Sequence, residues 1–345
     1  MKNVLILQNE IMAYRKAIYN TLTKRFNLTI IHSGKISKKN TDSYHEIIVP
    51  KSKIGSFILQ KNVFTEIKQG NYDVIIAMFD LHWIKNILLL FFLCKTPVIF
   101  WGHRYGKNAI INSIRNSLLK KSGAAILYND SEIVKMVQSG IARNKIFVAE
   151  NTIHVENYED CSQYPKSSFL YVGRAQKRKK VDELIRAFAQ IIDEIPDHIT
   201  IDIVGEGEEN ESLKVLAGKL KVKERVIFHG SITDNNRLKE LFKKAFAYVS
   251  PDAIGLGAQH SFAYGVPVIT IANGFKGAEF DKLNHNENAI LYNSHNELKD
   301  ILLKLISNVE FRKRLGKNAY NLYKNKLTID NMAQGFIDAI EYVSK

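Results

Sequence analysis

A chain of 345 residues, 46% hydrophobic and 24% charged, is long enough for two domains and apolar enough to bury real cores, which excludes a disordered chain. Its longest unbroken apolar run, residues 87–94, is far short of the ~20 residues that a bilayer-spanning helix needs. The net charge of +14 is uneven: residues 1–150 hold 22 Lys and Arg against 9 Asp and Glu, and residues 151–345 hold 27 against 26. That asymmetry points to an anionic partner for the first half, such as a membrane surface, a phosphorylated ligand or nucleic acid; a merely solvated basic surface is the plain alternative. The two cysteines, Cys94 and Cys161, offer no disulfide framework and no metal-ligand spacing. With no secretory signal ahead of the first apolar run, a reduced, cytoplasmic protein is expected.

Short apolar runs at 4–7, 28–31, 46–49, 74–77, 98–101, 124–128 and 146–149 read as buried strands. Helical patterns lie between most of them, at 15–24, 63–68 and 131–139. Such alternation predicts a mostly parallel, doubly wound sheet. Residues 107–121 form a basic amphipathic helix, with Ile110, Ile111, Ile114, Leu118 and Leu119 at helical spacing among Lys107, Arg115, Lys120 and Lys121. Such a helix lies on an anionic membrane or packs on its own sheet. The pattern pauses over 151–168, which reads as the interdomain connection. It then restarts: strand 169–172, helix 181–192, strand 200–204, helix 211–220, strand 225–228, helix 237–244 and strand 245–249. The expected division is a first Rossmann-like domain over 1–160 and a second over 161–327, with a helix near 328–345 packing back onto the first. Open sheets of this kind bind ligands at the carboxyl ends of their strands, and two of them would place those ends across a shared cleft.

Two stretches carry chemistry. After strand 169–172 come Gly173 and then five cations in seven residues, Arg174, Lys177, Arg178, Lys179 and Lys180. An arginine fork and lysine point charges at a strand's carboxyl end suit a diphosphate; a solvated basic loop is the plain alternative. After strand 245–249 come Ser250-Pro251-Asp252, the turn Ile254-Gly255-Leu256-Gly257, a short helical run with His260, and Gly265-Val266-Pro267-Val268-Ile269 opening another strand. Bare N–H groups at such a turn form an anion cradle.

Together these segments resemble glycosyltransferase family 4. Val172-Gly173-Arg174 with Arg178-Lys179-x-Val181-Asp182 is similar to its donor-diphosphate motif, and Val204-Gly205-Glu206-Gly207-Glu208-Glu209 and Val226-x-Phe228-x-Gly230 to its next two strands. Ser250-Pro251 through Gly265-x-Pro267-Val268 resembles its signature, and Phe311-Arg312-x-x-Leu315-Gly316-x-Asn318-Ala319 its closing helices. The resemblance runs over about residues 165–325 and is weaker in the first half.

It implies a GT-B fold, α/β with two Rossmann-like domains whose parallel sheets face across a cleft. Arg174 and Lys179 are then the pair that grips the donor diphosphate and stabilises the leaving charge. Gly205, Ile232, Ile254, Gly255 and Leu256 complete the donor site, with Glu279 a further contact. The family's two signature glutamates align with Asp252 and His260, so both differ here. Asp252 would support the donor sugar or cap the following helix. His260 would hold ribose hydroxyls, or carry a positive charge near phosphate. In the first half His103, after strand 98–101, would orient the sugar, and Tyr14, Arg15 and Arg104 would line the acceptor side. The usual Gly-Gly loop after the first strand is replaced by Gln8-Asn9-Glu10-Ile11-Met12-Ala13.

The reading is a metal-independent, retaining glycosyltransferase needing no cofactor beyond its nucleotide-diphosphate sugar. It would act on a glycan acceptor on a lipid diphosphate carrier in bacterial surface polysaccharide synthesis, in weak peripheral contact with the inner face of the membrane. Two alternatives stay open: an epimerase-like nucleotide-sugar enzyme, and a non-catalytic nucleotide-sugar-binding subunit. Nucleic acid is not an expected partner, because the basic half lacks interleaved aromatic and basic motifs.

Overall fold

The computed structural model describes all residues except 93–95, 103–104, 275–276 and 278, and the side chain of residue 92. The chain divides into two compact units, Met1–His154 with Thr328–Lys345, and Val155–Leu327. Residues 155–160, expected in the first domain, belong to the second. They are held there by the Glu159–Lys239 ion pair at 2.6 Å and by the N–H of Glu159 on the carbonyl of Ala263.

In the first unit the strands are β1 (Lys2–Leu7), β2 (Phe26–His32), β3 (His45–Ile48), the hairpin pair β4 (Lys51–Ile54) and β5 (Phe57–Gln60), then β6 (Val74–Met78), β7 (Val98–Trp101), β8 (Ala124–Leu127) and β9 (Ile146–Val148). Seven of them form one parallel sheet in the order β3-β2-β1-β6-β7-β8-β9. Val4 of β1 opposes Leu28 of β2 and Val74 of β6. Side chains alternate across a strand, so Val4 and Ile6 enter one core while Leu5 and Leu7 enter the other. This burial on both faces is why the strands read as unbroken apolar runs.

The helix Ile329–Val343 completes the first unit. Ile329, Met332, Ala333, Phe336, Ile337 and Ile340 recur at helical spacing and are buried. Phe336 meets Trp101 edge-on at 4.9 Å between ring centres. The antiparallel pair β4–β5 was not anticipated. Its sequence, Lys-Ser-Lys-Ile-Gly-Ser-Phe-Ile-Leu-Gln, is two short segments around a Gly-Ser turn, a hairpin signal.

In the second unit β10 (Ser168–Val172), β11 (Thr200–Val204), β12 (Val226–Phe228), β13 (Ala245–Val249), β14 (Val268–Ile271) and β15 (Ala289–Tyr292) form a parallel sheet in the order β12-β11-β10-β13-β14-β15. From β10 the chain moves outward to β11 and β12, then returns to lay β13 on the other side. This reversal makes the β10/β13 boundary the topological switch point, where sheets of this class bind ligands. The core beneath is built from Phe169, Tyr171, Ile201, Ile203, Phe246 and the helix residues Leu184 and Phe188. Cys161 is buried and free; Cys94 lies outside the described residues.

Candidate active site

The loops at the β10/β13 crossover are braced from below. The Tyr171 hydroxyl donates to the carbonyl of Arg174 at 2.9 Å, and the Tyr248 hydroxyl to that of Val172 at 3.2 Å. The loop after β11 presses against them, the N–H of Gly173 reaching the carbonyl of Val204 at 2.9 Å and that of Gly205 the carbonyl of Gly230 at 2.7 Å. A Cβ on Gly205 would stand 1.9 Å from the carbonyl oxygen of Gly173, and its φ is +122°. Only glycine fits there.

Lys179 is half-buried and its ammonium donates to the carbonyl of Ala253. Burial pushes its pKa down to about 8; Arg178 and Arg174 push the same way, while Glu279 and Asp252 oppose them. Five charged groups therefore share one neighbourhood. Arg174 itself is exposed. Among the described residues, the N–H groups of Ile254, Gly255 and Leu256 have no acceptor. With Lys179 beside Gly255, they make a cationic, donor-rich cradle of a kind suited to phosphate oxygens.

Asp252 Oδ1 accepts the N–H of Ala253 at 2.5 Å. It thus stabilises the turn in which Ala253 takes a left-handed φ of +49°, rather than capping the helix Gly257–Ala263, which has no side-chain cap. Gly274 leaves room for this carboxylate, since a Cβ there would lie 2.3 Å from Oδ1. Glu279 is buried, 8% exposed, in the same neighbourhood.

His260 does not supply charge. Its ring stacks on Phe242 at 5.4 Å and Tyr264 at 6.0 Å. Its Nε2 is buried without a hydrogen-bond partner. Burial pulls its pKa to about 4, so the imidazole is neutral at pH 7 and the expectation of a cation near phosphate is corrected.

Ile232 lines a cavity of about 650 Å³ with His229, Arg237, Leu241, Lys244 and Tyr164. Asp202 on β11, fully buried, meets His229 Nε2 at 2.7 Å and Lys244 Nζ at 2.9 Å. The sequence reading passed over this group; its signal was one acid inside the apolar strand Thr-Ile-Asp-Ile-Val.

In the first unit, His103 and Arg104 lie outside the described residues. Tyr14 is half-buried and Arg15 is buried among aromatic rings. On the helix Ala109–Lys121, Leu118 and Leu119 pack inward, whereas Ile110, Ile111 and Ile114 are exposed.

Two Rossmann-like units, each built on a parallel sheet, make up the GT-B fold of glycosyltransferases. Anabaena HepE, solved in complex with UDP, has this fold too, with a TM-score of 0.74 at 16% identity over 98% of this chain and 99% of that one. Residues 163–322 match the family model described as glycosyl transferases group 1, and the second unit is a domain of that family. An uncharacterized glycosyltransferase of Methanocaldococcus jannaschii is 28% identical over 221 residues, 63% of this chain and 53% of that protein; the match thus spans about half of that relative's length. An uncharacterized 41.2 kDa protein in the cps region of Klebsiella pneumoniae is 27% identical over 307 residues, 76% of this chain and 82% of that protein.

Proposed function

We propose that this chain transfers a sugar, a hexose or deoxyhexose, from a nucleotide diphosphate to a glycan acceptor, with retention at the anomeric carbon and without a metal. The observation that carries the reading is the convergence of the Lys179 ammonium, the Arg174 loop and the unused N–H groups of 254–256 at the β10/β13 crossover. Arg174 and Lys179 take up the charge that develops on the leaving diphosphate as the glycosidic bond breaks. A leaving phosphate oxygen accepts the acceptor's proton, and His103 orients the sugar. Asp252 supports the positive charge that grows on the sugar ring. The UDP held by Anabaena HepE makes UDP-sugars the first donors to try.

The acceptor is proposed to be lipid-linked, in surface polysaccharide synthesis on the cytoplasmic side of a membrane. The exposed Ile110, Ile111 and Ile114 beside Arg115, Lys120 and Lys121 support a peripheral contact. Among the described residues no helix is long and apolar enough to cross a bilayer.

Thermal-shift titration with UDP, GDP, dTDP and their sugars tests the donor site, since a bound donor stabilises the fold by mass action. One nucleotide should raise Tm saturably, and R174A and K179A should each shift that rise to at least about tenfold higher nucleotide, the loss of a charge-assisted hydrogen bond. No response to any nucleotide sinks the reading. Isomerisation of the donor without an acceptor would replace it with the epimerase-like alternative. NMR of the product's anomeric proton decides retention.

A further inference from the structure

The first unit buries a cation that no anion of the described residues answers. Arg15 is 6% exposed and ends the turn Ala13–Arg15 that follows β1. Its guanidinium lies over three rings, Trp101 at 4.8 Å, Tyr14 at 5.0 Å and Tyr128 at 5.1 Å from the ring centres. Among the described residues its one hydrogen-bond partner is the Met332 thioether, at 4.0 Å, a weak acceptor for a group with five N–H donors. No carboxylate of the described residues pairs with it. Aromatic faces return part of the cost of burying such a charge, but among the described residues its N–H groups meet no oxygen acceptor.

The ring beneath repeats the pattern. Trp101 is 2% exposed, and its Nε1–H is buried with no acceptor. A tyrosinate is not the missing counter-ion. The neighbouring Tyr19 hydroxyl is pushed well above its usual range by burial, with the Arg15 charge only partly opposing, and so stays neutral. Arg15 follows β1, Trp101 ends β7 and Tyr128 follows β8. The cluster therefore sits at the carboxyl ends of parallel strands, where sheets of this class bind ligands. Tyr14 and Tyr128, both half-buried, form its rim.

We infer that Arg15 and the indole N–H of Trp101 form an oxyanion site that takes a phosphate or carboxylate group of the acceptor. That the ligand is the acceptor rests on the transferase reading above; anion binding by the first unit does not. The guanidinium supplies charge and a planar set of donors, the indole adds one more, and the rings exclude water so that both act in a low dielectric.

The chain has two tryptophans, so in a Trp83→Phe background emission reports Trp101 alone. The full chain is titrated with sodium phosphate and, separately, with sodium acetate, against sodium chloride at equal ionic strength, reading Trp101 emission and Tm. Saturable changes in both are expected with phosphate or acetate and not with chloride; the anion that saturates at the lower concentration identifies the group. Arg15→Met should abolish the response, and Arg15→Lys, which keeps the charge and loses the fork, should weaken it at least about tenfold, a change of ~1.4 kcal/mol. The inference is overturned if neither anion saturates, if chloride does so equally, or if Arg15→Lys binds as the parent does; this last comparison stands even where Arg15→Met does not fold. UDP-induced stabilisation is followed in the same samples. Its persistence with a failed anion titration sinks this inference alone, whereas its own failure sinks the donor reading and the assignment of the anion to an acceptor, leaving anion binding at Arg15 standing.

Discussion

The backbone N–H of Asp252 donates to the backbone carbonyl of Lys179 at 3.3 Å, and the Lys179 ammonium donates to the carbonyl of Ala253. The loop after β10 and the loop after β13 are thus joined at the residues that carry the site's charge. The ammonium is held over the turn before any ligand arrives, so little ordering remains to be done on binding.

That arrangement sets a pH dependence. Lys179, with its pKa lowered to about 8 by burial and the neighbouring Arg178, is cationic below that value and neutral above it. A diphosphate favours the cation, so donor affinity should be flat below about pH 7.5 and fall by up to about tenfold per pH unit above 8. Calorimetric Kd values between pH 6 and 9.5 check this. K179A should weaken binding about 10–100-fold at pH 7, the loss of one charge-assisted hydrogen bond of ~1.5–3 kcal/mol, and should remove the fall.

Gly205→Ala should be severe in the fold as well as the site. The added methyl would meet the Gly173 carbonyl, and the φ of +122° is itself unfavourable for alanine. A loss of about 2–4 kcal/mol is expected by denaturant unfolding, with donor binding weakened because the loops after β10 and β11 are forced apart. Unchanged stability would show that these loops part freely.

His260 should titrate far below its usual range. Its pKa of about 4 in the fold against about 6.5 when unfolded means that the unfolded chain binds the extra proton between those values. Stability from this residue is therefore complete above about pH 6.5 and lost as pH falls toward 4. His260→Phe should remove that part of the acid sensitivity, measured as Tm against pH. A proton-NMR titration showing His260 charged at pH 6 would contradict the stacked ring with its buried Nε2.

Asp202 should be structural. Removing its carboxylate strands His229 and Lys244 beside an apolar sheet face. Because Lys244 still reaches water, the cost of Asp202→Ala is about 1–3 kcal/mol rather than that of a fully buried broken pair. Donor Kd should change less than twofold, which nucleotide titration of the variant can check.

The strands were legible because both faces of a parallel sheet are buried, leaving apolar runs such as Val74-Ile75-Ile76-Ala77 that need no partner to be recognised. The hairpin β4–β5 was missed because β4 is mostly polar and exposed and the apolar stretch of β5, Phe57-Ile58-Leu59, is too short to stand out by itself. At the cradle, the run of cations and the glycine turn could be read from residue type and spacing, whereas Arg174 and Lys179 were singled out by the family resemblance. The bracing by Tyr171 and Tyr248 could not, since a tyrosine in an apolar strand reads as core until its hydroxyl is seen to reach a neighbouring loop's carbonyl.

By itself the sequence determined the alternation of strands and helices, the tandem of two similar halves and the basic loop with its glycine turn, since each of these is local: a periodicity, a composition or a motif within about twenty residues. Only the tertiary structure decided the fate of individual side chains. His260 became a neutral stacked ring because Phe242 and Tyr264 close over it. Arg15 became a buried cation because the helix Ile329–Val343 brings Met332 to it from 317 residues away. Burial and charge are set by which surfaces meet, and that is a property of the packed chain, which no window of sequence contains.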